Sequence, residues 1–170
     1  MSTQQPIAGS GGNGYAPVEA ERISVNDVAP DLYRAYLHLE TTVHKAVDPT
    51  LYELIKTRAS QINGCAFCVD MHTKDARAQG EAEQRLYLLS AWQEAPVYTE
   101  RERAALALTE AVTLVADTRV PEDVWAEAAR VFSPEELAGV LMAIVTINGW
   151  NRIAISSRTP AGHHQPRVSS

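Results

Sequence analysis

Cys65, Cys68 and His72 lie close together in "SQINGCAFCVDMH", and the two cysteines are the only ones in the 170-residue chain. Residues three apart on a helix hold their Cβ atoms about 5–6 Å apart, close to the range a disulfide needs. His72 follows the two thiols by seven and four residues, so all three share one helix face. The preceding Asn63-Gly64 is a strong helix stop and puts the pair at the start of the next helix. Unpaired N–H groups and the helix dipole favour a thiolate there. The thiolate is the nucleophile, and an imidazole on its face takes or relays a proton. The chemistry this constellation suits is two-electron redox, in which one sulfur attacks and the other resolves.

Two blander readings stand beside it. Half of a structural zinc site would need a second ligand pair, and His38, His44, His163 and His164 supply none at zinc-finger spacing. The thiols would otherwise be inert, since free cysteine is often buried as a small apolar residue. No cofactor and no resident metal is expected.

The elements that must position these groups read as helices. Leu32, Tyr36, Leu39, Val43 and Val47 recur at three- and four-residue spacing. Asp48-Pro49 caps a second helix, "TLYELIKTRASQI", which turns Leu51, Leu54, Ile55, Arg58 and Ile62 to one side. A third helix runs from about Cys65 to Gly80. "EAEQRLYLLSAW" is a fourth, closed by Ala95-Pro96. "TERERAALALTEAVTLVA" opens on a capping box of Thr99 and Glu102, and "PEDVWAEAARVF" follows it from Pro121. The last, "SPEELAGVLMAIVTINGWNRIAISS", has Ser133 as N-cap, Pro134 at the first position and Glu136 at the third. No strand alternation or fixed-period repeat is present. The fold class is all-α, with about seven helices over residues 22–158, a flexible tail at 1–21 and another at 159–170. Within the second helix, Glu53 falls opposite the apolar stripe, which reads as a solvated glutamate. Asp70, Lys74, Asp75 and Arg77 read as an exposed charged face.

A net charge of −6 and a pI near 5.3, with no Lys/Arg-rich run, argue against nucleic-acid binding. The N-terminus lacks the basic and apolar regions of a signal peptide. Glu136, Asn148, Asn151 and Arg152 interrupt the most apolar run, so a buried or subunit-packed helix is expected there and no membrane span. These features, with a closely spaced thiol pair, point to the cytoplasm.

Glu53, eleven residues, Cys65-x-x-Cys68, three residues and His72 together resemble the signature of AhpD-like alkylhydroperoxidases of the carboxymuconolactone decarboxylase superfamily. "RASQINGCAFCVDMHTKDAR" and "YTERERAALALTEAVT" resemble the core of that family, and "INGWNRIAISSRTPAG" the ending of one subgroup. The strong match covers about Leu51 to Thr113, and a looser one about Arg22 to Gly162. The resemblance implies a helical homo-oligomer, trimer or hexamer, that reduces organic hydroperoxides. It implies Cys68 as the peroxidatic thiol, Cys65 as the resolving thiol, His72 as proton relay and Glu53 as the base that starts the relay. It also implies a dithiol reductant of lipoyl or thioredoxin-like type. This role for Glu53 conflicts with its reading as a solvated residue. Phe67 departs from the pattern, because better-known members carry a histidine there. Phenylalanine neither donates, accepts nor carries charge, so that local tuning of Cys68 is absent. Two alternatives remain: a thiol–disulfide protein or sensor without peroxidase activity, and a decarboxylase- or isomerase-like enzyme or helical binding module in which the thiols are incidental. The related decarboxylases lack the cysteine pair, which favours redox chemistry.

Overall fold

The structure is a computed structural model that describes residues 19–166. The described residues form helices and no strands: α1 Val25–Val28, α2 Pro30–His44, α3 Pro49–Asn63, α4 Ala66–Ala78, α5 Glu83–Leu88, α6 Glu100–Thr113, α7 Val115–Thr118, α8 Glu122–Val131 and α9 Pro134–Ser157. The all-α class holds, and the seven expected helices correspond to α2–α6, α8 and α9. The single-turn α1 and α7 are additional, and α5 runs on into a 3-10 turn at Leu89–Ala91. The helix expected to continue from α6 to Ala116 breaks at Leu114 (φ −99°, ψ 32°). Thr118 Oγ1 donates to the Ala111 carbonyl across that break at 2.7 Å, satisfying an acceptor the helix leaves open.

The local signals act as their chemistry dictates. The Asp48 side chain accepts from Leu51 N at 3.0 Å, with Pro49 in the first position of α3. Both capping boxes form, Thr99 with Glu102 and Ser133 with Glu136.

Helix α3 is the axis of the fold, packed against α4, α6 and α9. Leu54, Ile55 and Ala59 are fully buried, but so are Lys56, Thr57 and Ser60 on its other sides. The expectation of a one-sided amphipathic helix with a wet polar face is therefore corrected: neighbouring helices cover that face too. One apolar cluster joins Leu51, Ile55, Leu108, Val140 and Ile144, and a second joins Leu54, Leu89, Trp92 and Leu106. Gly149 of α9 leaves room for the ring of Tyr36, whose hydroxyl donates to the Thr146 carbonyl at 2.8 Å.

The buried polar face of α3 carries an ion pair. Lys56 Nζ binds Glu40 of α2 and Thr146 Oγ1 of α9, the latter at 2.8 Å. Glu40 also accepts from the Tyr52 hydroxyl and from Trp150 Nε1 at 3.0 Å. Burial pushes the Lys56 ammonium down to about 8, and the Glu40 charge beside it opposes that shift. Lys56→Met leaves the Glu40 carboxylate half-enclosed and uncompensated. We expect it to cost about 3 kcal/mol and to lower Tm by roughly 6–12 °C. Thermal denaturation measures this, with Glu40→Gln in the same chain recovering part of the loss. A Tm unchanged in Lys56→Met would remove the pair from the stability account.

Helix α9 is by length and composition apolar enough to cross a membrane, and half of that apolar window is buried inside this fold. Residues 159–166, expected as part of a flexible tail, have no regular secondary structure and run along α4. Gly162 N donates to Asp70 Oδ2 at 3.1 Å, Lys74 Nζ reaches the carbonyls of Gly162 and His164 at 3.3 and 3.2 Å, and His164 Nε2 meets Asp75 Oδ1 at 2.7 Å. The face of α4 expected to be exposed is accordingly half-covered at Asp70, Lys74 and Asp75, and exposed at Arg77. Residues 1–18 of the expected N-terminal tail, and 167–170, lie outside the described residues.

Candidate active site

Gly64 sets the geometry. It ends α3 in the left-handed conformation (φ 71°, ψ 30°), which L residues reach only with strain. Cys65 N then donates to the Ser60 carbonyl at 3.0 Å and Gly64 N to the Gln61 carbonyl at 3.3 Å, the paired bonds of a Schellman stop. Asn63, just before the turn, donates to Asn148 Oδ1 and Asn151 Oδ1 of α9 at 3.0 and 2.8 Å, and Asn151 donates to Ser60 Oγ at 3.0 Å. This amide clasp fixes the turn to the longest helix in the fold.

The stop delivers Cys65 to the N-cap of α4, where its sulfur accepts from Cys68 N at 3.3 Å. Cys65 and Cys68 form a disulfide with Cα atoms 5.4 Å apart. Both sulfur-bearing residues are buried, at 2% and 1% exposure. Ala59, Ile147 and Ala154 surround them, with Phe67 and Trp150 packed outside. The pair thus sits at a helix N-terminus, which favours thiolate, behind an apolar wall.

His72 lies two turns further along α4 and is also buried. Its Nδ1 is 2.8 Å from Oε2 of Glu53, and Glu53 is only 4% exposed. The solvated reading of Glu53 is overturned, because α4 packs over the polar side of α3 and brings His72 against it. With the carboxylate ionised, Nδ1 carries the hydrogen and donates, which leaves Nε2 as the basic nitrogen. The other Glu53 oxygen accepts from Gln79 Nε2 at 3.4 Å. Tyr52 turns its ring edge to His72 at a centroid distance of 6.4 Å.

Glu53 also lines a polar cleft of about 330 Å³ with Thr50, Gln79, Glu81, Arg85 and Glu102. Burial resists ionisation of Glu102, but hydrogen bonds from Arg85 and Thr99 outweigh it and hold that carboxyl below its usual range. The cleft therefore contains fixed charges and gives Glu53 a path towards solvent. Gln79 and Tyr52 were not singled out by the sequence, and neither type carries a signal without its neighbours.

A helical fold with a Cys-x-x-Cys disulfide at a helix start, beside a buried His–Glu pair on the adjoining helices, is that of an AhpD-like protein. The chain belongs to the carboxymuconolactone decarboxylase family, whose profile matches residues 30–111. It is 42% identical over 138 residues to YdfG of Bacillus subtilis (strain 168), across 81% of this chain and 94% of that one. It is 43% identical to the solved structure of ATU0492 from Agrobacterium tumefaciens, an AhpD antioxidant-defence candidate, with a TM-score of 0.82 over 85% of this chain and all of the other. The debrominase Bmp8, solved with 2,3,4-tribromopyrrole, shares the fold at a TM-score of 0.70 and 20% identity, over 79% of this chain and 73% of its own.

Proposed function

We propose that the protein is a thiol-dependent peroxidase that reduces organic hydroperoxides. The observation that supports this best is the Cys65–Cys68 disulfide at the start of α4, with the 2.8 Å His72–Glu53 pair further along that helix. His72 Nε2, made basic by the Glu53 carboxylate, takes the proton of the reduced Cys68 thiol. The Cys68 thiolate attacks the distal oxygen of ROOH. The O–O bond breaks, a sulfenic acid forms on Cys68, and the alkoxide leaves as ROH with the proton from His72. The Cys65 thiol then attacks that sulfur and releases water, closing the disulfide seen here. A dithiol of lipoyl or thioredoxin-like type restores both thiols and is itself oxidised to a disulfide.

The N-cap bond gives Cys65 a second part. When the donor attacks Cys68, Cys65 leaves as a thiolate, and the Cys68 N–H stabilises that charge. The apolar surroundings of the pair favour an organic hydroperoxide over hydrogen peroxide. No cofactor enters this cycle. Exposed Leu32 and Leu37 on α2, with Met142, Val145 and Ile155 on α9, support burial between copies in a trimer or hexamer. The assignment to the cytoplasm rests on the thiol chemistry.

The test is consumption of an alkyl hydroperoxide by the reduced protein. One equivalent of ROOH should yield one of ROH and one intramolecular disulfide, with steady turnover once a dithiol donor is added. A reversible disulfide without peroxide consumption would instead favour a thiol–disulfide carrier or sensor.

A further inference from the structure

Where residues 159–166 cross α4, a second carboxylate joins the His72–Glu53 pair. Potential donor atoms of Glu53, His72 and Asp75 all lie within 4.8 Å of one another. Glu53 and His72 are buried, and Asp75, one turn beyond His72 on α4, is half-buried. Asp75 is in turn held by His164, whose Nε2 is 2.7 Å from Asp75 Oδ1. We propose that Glu53, His72 and Asp75 form a regulatory binding site for a zinc-type divalent cation, with His164 orienting Asp75 from outside.

The chemistry of the donors fits. Two carboxylates and one imidazole are a borderline-hard set that suits zinc among the divalent metals. Three protein ligands leave the fourth tetrahedral position to water. Two carboxylate charges balance the cation. Ligands about 2.1 Å from a metal lie no more than about 4.2 Å apart, so the cluster must close slightly. Asp75 is the least buried of the three and would make most of that adjustment. A metal-bound carboxylate is commonly hydrogen-bonded from behind, which is the place His164 holds. Lys74, one residue before Asp75, is committed to Asp70 at 2.9 Å and to backbone carbonyls of the C-terminal segment. The cysteines play no part, since both sulfurs are tied in the disulfide.

The consequence for activity rests on the peroxidase reading. A cation on His72 Nδ1 and Glu53 takes the place of the shared proton, so the imidazole can no longer be driven as a base. The site would act as a brake, closed by free zinc and opened by a chelator.

Binding is tested without reference to activity. The full chain in its disulfide form is titrated with zinc chloride by calorimetry and with cobalt(II) by visible absorption. One equivalent should bind with no sulfur-to-cobalt charge-transfer band. Asp75→Asn should weaken zinc at least 10-fold, and His164→Ala about 10-fold through loss of the outer hydrogen bond. Circular dichroism confirms that each variant is folded. Absence of stoichiometric binding overturns the site, as does equal binding by wild type and Asp75→Asn. So does weakening by His164→Ala alone, which would mark a surface histidine site. For regulation, half-inhibition of peroxide turnover should need at least 10-fold more zinc in Asp75→Asn than in wild type. Equal inhibition would place the zinc on the thiols and overturn the brake, while calorimetry still decides the site.

Discussion

Cys68→Ser is expected to lower peroxide turnover at least about 1000-fold, to the rate seen without enzyme. A serine hydroxyl is not ionised at neutral pH, and its oxygen cannot accept oxygen from a peroxide to form a sulfenic acid. Cys65→Ser is expected to fail differently. Its Cys68 still attacks one equivalent of hydroperoxide, so ROH appears in a single burst and a sulfenic-acid trap labels the protein. The cycle then stops, because no thiol closes the disulfide for the donor to open. The two variants therefore separate attack from resolution. Loss of fold is a poor explanation for either. Closing so short a loop contributes about 2 kcal/mol at most in the chain-entropy account, and the substitution removes no side-chain volume beyond sulfur for oxygen. Thermal melting under oxidising conditions should show that modest decrease. The outcome that defeats the mechanism is a Cys68→Ser protein with full peroxidase activity. A Cys65→Ser protein that turns over normally with a dithiol donor would defeat only the resolving role.

The thiol end of the site was legible because it is local. Gly64, Cys65, Cys68 and His72 lie within one turn-and-helix segment, so spacing alone gives their shared side and their place at a helix start. The elements were legible for the same reason, since Asp48-Pro49, Thr99 with Glu102 and Ser133 with Glu136 are signals between near neighbours. Glu53 was legible only through the family resemblance, because a helical wheel assumes one apolar side faces the core and the other faces water. In α3 both sides are covered, and the polar side holds Glu53 against His72 and Lys56 against Glu40. Glu53, Lys56 and Ser60 recur at three- and four-residue spacing, a helical period that charged surface and buried network produce alike. Burial on both sides depends on the long-range packing of α4 and α9, which no window of sequence contains. The same limit hid Asp75, whose partner His164 lies 89 residues away in a segment without secondary structure.

Glu53 is also the residue on which the second large effect is expected. Glu53→Gln should reduce the rate of Cys68 oxidation by ROOH about 100-fold near neutral pH, within the range that general acid–base catalysis supplies. Glutamine is nearly the same size and its amide oxygen still accepts the Nδ1–H of His72, so the imidazole keeps its place. What disappears is the negative charge that steadies the imidazolium as the thiol proton moves. His72→Gln should produce a loss of similar size. The double variant should be little worse than either single one, because the two residues act as one unit. The pH profile distinguishes this from a damaged fold. Rising pH supplies the Cys68 thiol with a base other than His72, so between pH 7 and about 9.5 the gap between variant and wild type should narrow towards the acid-catalysed share of leaving-group protonation. A structural defect would persist at every pH. Stopped-flow measurement of the oxidation step across that range makes the comparison, and a Glu53→Gln protein with more than half the wild-type rate at pH 7 would remove the carboxylate from the relay.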